Sequence, residues 1–199
     1  MFPFALRQFL FNYNHPNEPA PFNIEDLPLF KGEIKVYHSA AAVYYAPSDL
    51  CGAGGLHREC ICLTPSFHGH ECRDTVFVVL DESKKGMEGM EIGRVLLFFS
   101  FQYWRQSFSC ALINWFVHDD SEPDRDTGMW VVQQEHECGQ PTIDVIEIDS
   151  IAQGAHLLPV FGSSQVPDGF SYHNALDSFN SFFVNHYIDH HAHEFITMS

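Results

Sequence analysis

Ile92-Gly93-Arg94-Val95-Leu96-Leu97-Phe98-Phe99-Ser100-Phe101 and Phe108-Ser109-Cys110-Ala111-Leu112-Ile113-Asn114-Trp115-Phe116-Val117 decide the fold class of this chain. Val, Ile, Phe and Trp dominate both runs, and such side chains pack best on a pleated, half-buried surface. Thr75–Leu80 and Met129–Gln133 flank them with the same composition. Lys85-Gly86 and the Asp119–Asp126 stretch supply turns between these strands. Ile143–Ile148 reads as a fifth strand, Asp149-Ser150-Ile151 as a short turn, and His156–Phe161 as a last strand. Strands this closely spaced predict an α+β, mainly β fold, an antiparallel meander curled into a small barrel-like sheet. A sandwich is the other arrangement compatible with them.

Outward from this centre the pattern changes. Residues 1–25 read as an N-terminal helix followed by a Pro-rich connector. Phe4, Leu6, Phe9, Leu10 and Tyr13 share one face of the helix, which stops at Asn14-His15-Pro16. Residues 26–165 form the β-rich domain. It opens with a strand pair, Glu33–His38 and Ala42–Ala46, and carries an irregular loop at 48–73 marked by Gly52, Gly54, Gly55, Pro65 and Gly69. Residues 166–199 hold a C-terminal helix and a His-rich tail. Leu176, Phe179, Phe183 and Tyr187 recur at helical spacing, with Asn174 or Ser171 as caps, and the apolar face is expected to dock on the barrel.

Composition narrows the function. The chain has 199 residues, 45% of them hydrophobic, enough for a sizeable core. Ten Lys and Arg stand against 26 Asp and Glu, for a formal charge of −16. Nucleic-acid affinity rests on neutralising phosphates with cations, so nucleic-acid binding by the isolated domain is disfavoured. The acids of Asp119, Asp120, Glu122, Asp124 and Asp126 read as a solvated turn. No apolar stretch reaches the roughly 18–20 residues of a membrane span, and Met1–Arg7 lacks the basic and apolar regions of a signal peptide. The expectation is an intracellular protein, nuclear or cytoplasmic, whose six Cys are thiols.

Two clusters have the side chains of metal ligands. Cys51, His57, Cys60, Cys62, His68, His70 and Cys72 lie in the irregular loop, but Cys60-x-Cys62 lacks the Cys-x₂₋₄-Cys spacing of a structural zinc site. His186 and His190 would share a helix face, with Asp189, His191, His193 and Glu194 nearby. The Glu that serves as base in His-Glu-x-x-His is missing, and a polar helix end is the plainer reading, with imidazolium at the C-terminal dipole. There is no nucleophile elbow and no phosphate loop; Gly52-Ala53-Gly54-Gly55 reads as a tight turn. No catalytic, cofactor-binding or metal-ligating residue is assigned, and no cofactor is expected. Tyr103, Trp104, Trp115 and Trp130, with Phe116, are the partner-binding candidates. They would line a groove that stacks a base or cages a methylated lysine, or else fill the barrel core.

Longer blocks carry a family likeness. They are His38-Ser39-Ala40, Tyr45–Gly52, Arg73–Val78, Gly89-Met90 and Arg94–Phe101. They continue through Cys110-Ala111-Leu112, Trp115-Phe116, Asp126–Val132, Ala155–Gly162 and Val184–Glu194. On these the chain resembles the C-terminal region of the proteins of fungal Plavaka-type DNA transposons, relatives of the CACTA and Kyakuja-Dileera-Zisupton groups. The likeness spans about residues 25–194. It implies that the metal-dependent cut-and-paste chemistry belongs to an upstream RNase H-like domain, with this chain a remnant or fragment lying after it. Cys60, Cys62 and Cys72 fall where the family has no cysteine. The strand order distantly resembles bromo-adjacent-homology modules, a likeness of architecture only. The resulting expectation is a non-catalytic accessory domain, derived from a transposase, that binds a protein or chromatin partner. The alternative is a metal-binding protein or metal-dependent hydrolase using the Cys/His loop or the His tail.

Overall fold

The computed structural model describes residues 1–47, 53–67, 69–162, 165–166, 168–171 and 173–197. In chain order the elements are α1 (Phe2–Asn14), β1 (Ile34–Tyr37), β2 (Ser39–Tyr45), β3 (Leu56–Phe67), β4 (His70–Arg73), β5 (Thr75–Val79), β6 (Met90–Tyr103) and β7 (Gln106–His118). There follow β8 (Val131–Gln134), β9 (His136–Glu137), β10 (Gln140–Pro141), β11 (Ile143–Glu147), β12 (Ile151–Ala155), β13 (Leu157–Pro159), α2 (Ala175–Ser178), β14 (Ser181–Val184) and α3 (His190–Thr197).

The long β6–β7 hairpin is the spine. Each of its strands is long enough to pair twice along its outer edge: β6 with β5 and then β1, β7 with β8 and then β11. An extra residue, Leu96, interrupts the β6–β7 register between Val95 and Leu97. Such a bulge bends and further twists a strand. The sheet runs β12-β5-β6-β7-β8-β14-β13. Its two ends, β12 and β13, are consecutive in the chain with only His156 between them, so the sheet curls until its edges meet at one bend. The mainly β, near-closed antiparallel barrel expected from the sequence is the observed architecture.

Three apolar clusters follow from the alternation of faces along these strands. Phe77, Ile92, Phe116, Val132, Phe182 and Val184 fill the barrel interior. On the opposite face Val76, Val78, Val95, Ile113 and Trp115 pack under Ala42, Ile61 and Leu63 of a second, small sheet, β2-β3-β4. At the far end of the hairpin, α1 lays Ala5, Leu6 and Leu10 over Phe99, Phe101, Phe108 and Val145. The Arg7 guanidinium donates to the carbonyls of Leu27 and Pro28, which ties the Pro-rich connector back to the helix.

Four expectations are corrected. Glu33–His38 and Ala42–Ala46 do contain strands, but β1 pairs with β6 and β2 with β3, not with each other. The stretch 48–73 is no irregular loop in its described part, because 56–67 and 70–73 are the strands β3 and β4. Their alternation was masked because two of the inward positions of β3, His57 and Glu59, are polar. Ile151 does not end a turn but starts β12. The amphipathic helix through Leu176, Phe179, Phe183 and Tyr187 is absent. One turn, α2, is followed by the strand β14, whose Phe182 and Val184 are fully buried between β8 and β13. Tertiary pairing overrides local spacing there, as it does whenever apolar residues fit both periods. A C-terminal helix does pack on the barrel, but it is α3, which buries Ala192 and Ile196.

Candidate functional site

The four aromatic candidates do not share one groove. Trp115 is 7% exposed, sits in the core beneath the small sheet and donates its Nε1–H to Asp144 Oδ2 at 2.8 Å. Tyr103 and Trp104 lie at the tip of the β6–β7 hairpin. Trp104 is 84% exposed, and the Tyr103 hydroxyl accepts from Asn14 Nδ2 at 3.0 Å. Trp130 is half-buried at the barrel rim, 4.8 Å centroid to centroid from His118. These two rings edge a shallow cavity of about 500 Å³ floored by Met87 and Met90. Burial holds the His118 imidazole below its ordinary pKa, and its Nε2 has no hydrogen-bond partner among the described residues. Phe116 belongs to the barrel interior.

The described members of the Cys/His cluster fall on the two strands β3 and β4, on both faces of the small sheet. Cys60 and Cys62 stand two residues apart on β3, with their sulfurs 4.0 Å from each other. The Cys72 thiol of β4 faces Asp74 Oδ1 at 3.5 Å. Burial, the Cys60 contact and the Asp74 charge push the Cys62 thiol up to about 11. Cys51 and His68 lie outside the described residues. His57 turns inward to stack on Tyr44 at 5.3 Å, and His70 stacks on His173 at 3.7 Å. Among the described residues no group of three or more His, Cys, Asp or Glu is arranged to hold a metal ion.

The His tail is rearranged as well. His186 precedes α3, so it does not share a helix face with His190. It is 3% exposed, its ring lies 5.2 Å from that of His193, and burial followed by the His193 charge lowers its pKa. Asp189 caps α3 by accepting the Ala192 N–H at 2.7 Å. His190 and His191 therefore begin α3 rather than end it. The dipole there is positive, and the expectation of imidazolium at a C-terminal dipole is reversed.

Sequence reasoning missed the cleft where the small sheet, β12 and the C-terminal segment meet. It encloses about 450 Å³. On one wall Tyr44 lies between two imidazoles, His57 and His191, the latter at 4.8 Å and 11° from parallel. His191 Nε2 reaches Gln153 Oε1 at 3.1 Å, and Gln153 is 4% exposed. Three carboxylates line the cleft, and each holds backbone. Glu59 Oε2 accepts from the Gly154 N–H at 2.8 Å, Asp74 Oδ2 from the Cys62 N–H at 2.6 Å, and Asp189 caps α3. These bonds fix the walls. Arg73 is the cation among the lining side chains. The only sequence signal for this site was the polar inward pair His57 and Glu59, which instead read as loop.

No protein-family model matches the chain, and no match is found among the curated proteins or among the solved structures. Among the described residues no helix is long and apolar enough to cross a membrane.

Proposed function

We propose that this chain is a non-catalytic accessory domain that docks a basic segment of a protein or chromatin partner, derived from the C-terminal region of a DNA transposase and acting inside the cell. The observation that carries the reading is the cleft of about 450 Å³ walled by Glu59, Asp74 and Asp189 and by the stacked ring of Tyr44. A Lys or Arg side chain suits it. Its cation complements the carboxylates of the wall, and its methylene stem suits the apolar lining of Ile61, Leu176 and Ile188. The formal charge of −16 draws basic partners toward the surface and repels phosphate backbones.

Titration of labelled peptides by fluorescence anisotropy tests this. A Lys/Arg-rich peptide should bind, more weakly as salt rises, while an acidic peptide and a DNA duplex should not. Glu59→Gln with Asp189→Asn should weaken the basic peptide. Equal binding of all three probes, or cleavage of DNA by the purified chain with a divalent metal, would overturn the proposal.

A further inference from the structure

We propose that Cys60 and Cys62 form a two-thiolate site for a soft monovalent cation of the Cu(I) class on the outer face of the small sheet. The thiol pair and the inward residue Glu59 of the cleft lie on opposite faces of β3.

Side chains two apart on a strand point to the same face, and here the two sulfurs stand 4.0 Å from each other. That is about twice a disulfide bond length, and strand residues at i and i+2 sit near the upper limit of Cα separation that a disulfide tolerates. The strand therefore holds the pair as a dithiol with room for one atom between the sulfurs. Residues opposite on β2 are small: Ala41 faces Cys60 and Ser39 faces Cys62. Nothing bulky from the neighbouring strand covers the gap, and Cys60 is exposed.

Coordination number selects the ion. Zinc in a structural site takes four ligands. The described residues supply no group of three or more, and the Cys72 thiol of β4 is directed at Asp74. Two thiolates satisfy a soft ion such as Cu(I), which favours sulfur and accepts two-coordination. Binding is a proton exchange with no change of oxidation state. Two thiols and one Cu(I) give a bis-thiolate complex of charge −1 and two released protons. Arg58 lies two residues before Cys60 on the same face of the strand, while the Asp74 carboxylate stands beside Cys62.

The test is a competition titration of the full chain against a chromophoric Cu(I) chelator, under anaerobic reducing conditions. One Cu(I) per chain is expected for the native protein and for Cys138→Ser, whose exposed thiol lies elsewhere, and for Cys72→Ser. Cys60→Ser and Cys62→Ser should each bind about 100-fold more weakly or worse, because the second bond is no longer intramolecular. A second measurement on the unmutated chain guards against folding effects. Cu(I) should protect Cys60 and Cys62 from alkylation, read by mass spectrometry of peptides, and leave Cys138 reactive. Unweakened binding in either single variant, no protection of the pair, or tight zinc binding that requires Cys72 would overturn the assignment.

Discussion

The Glu59 carboxylate on β3 accepts the backbone N–H of Gly154 on β12 at 2.8 Å, so one bond joins the small sheet to the edge of the barrel. A β-carbon at position 154 would stand 2.5 Å from the other Glu59 oxygen. That oxygen is the end of a flexible side chain, which can swing aside, so Gly154→Ala should act by breaking the bond rather than by wrecking the packing. Gly154→Ala and Glu59→Ala are each expected to cost about 1 kcal/mol. The double variant should cost well under the sum, because both remove one interaction. Chemical denaturation of the four proteins checks it, and full additivity would contradict the coupling.

Trp104 and Arg105 turn the β6–β7 hairpin with φ of 50° and 68°. Both lie in the left-handed region that a two-residue hairpin turn requires and that L side chains with a β-carbon resist. Trp104→Asn with Arg105→Gly should raise stability by about 1 kcal/mol, seen as a higher Tm. Trp115→Ala, in contrast, removes a buried indole and its bond to Asp144 and should cost about 3–5 kcal/mol.

Arg94 reaches Asp177 of α2 with two bonds, Nη1 to Oδ1 at 2.5 Å and Nη2 to Oδ2 at 3.2 Å. The arginine side chain is 15% exposed and the aspartate 62% exposed. The two ends of the pair are therefore unequal. Asp177→Ala leaves a largely buried guanidinium without its partner and should destabilise by about 1–2 kcal/mol. Arg94→Met removes the buried charge itself and leaves Asp177 in water, so it should cost less. Thermal melts of both variants decide; a larger loss for Arg94→Met would refute the burial argument.

His186 and His118 both titrate below the ordinary value of 6.5, burial being the leading cause in each. The unfolded chain then takes up these protons first as pH falls. Stability is fully present above 6.5 and is lost as pH drops below it toward the depressed folded values. Glu91, raised by burial and by Glu135, works in the opposite sense at lower pH, since its folded form binds a proton before the unfolded form does. Unfolding free energy measured between pH 8 and about 5 should fall with acid in the native protein. His118→Gln with His186→Gln should flatten that slope. An equal slope in the variant would remove both histidines as its source.

The sequence by itself determined the class of this fold. Thr75–Leu80, Ile92–Phe101 and Phe108–Val117 are so rich in branched and aromatic side chains that a pleated, buried surface is the arrangement that suits them, and β5, β6 and β7 follow them closely. The helical face of Leu6 and Leu10 was legible for the same reason, since the burial it predicts is met within one packing layer. Tertiary structure alone decided the rest. Phe182 and Phe183 fit a helical stripe or a strand equally well, and the vacant edges of β8 and β13 made them a strand. Polar inward residues on β3 erased its alternation, because the small sheet stacks His57 on Tyr44 and turns Glu59 toward a cleft that does not exist until β12 and α3 arrive. Tyr103, Trp104, Trp115 and Trp130 looked alike in the chain, and only the curl of the sheet sent one into the core, one to the rim and two to the hairpin tip. Period and composition are local properties, while partners across a sheet and the walls of a cleft come from residues as far apart in the chain as Glu59 and Gly154, brought together by barrel closure.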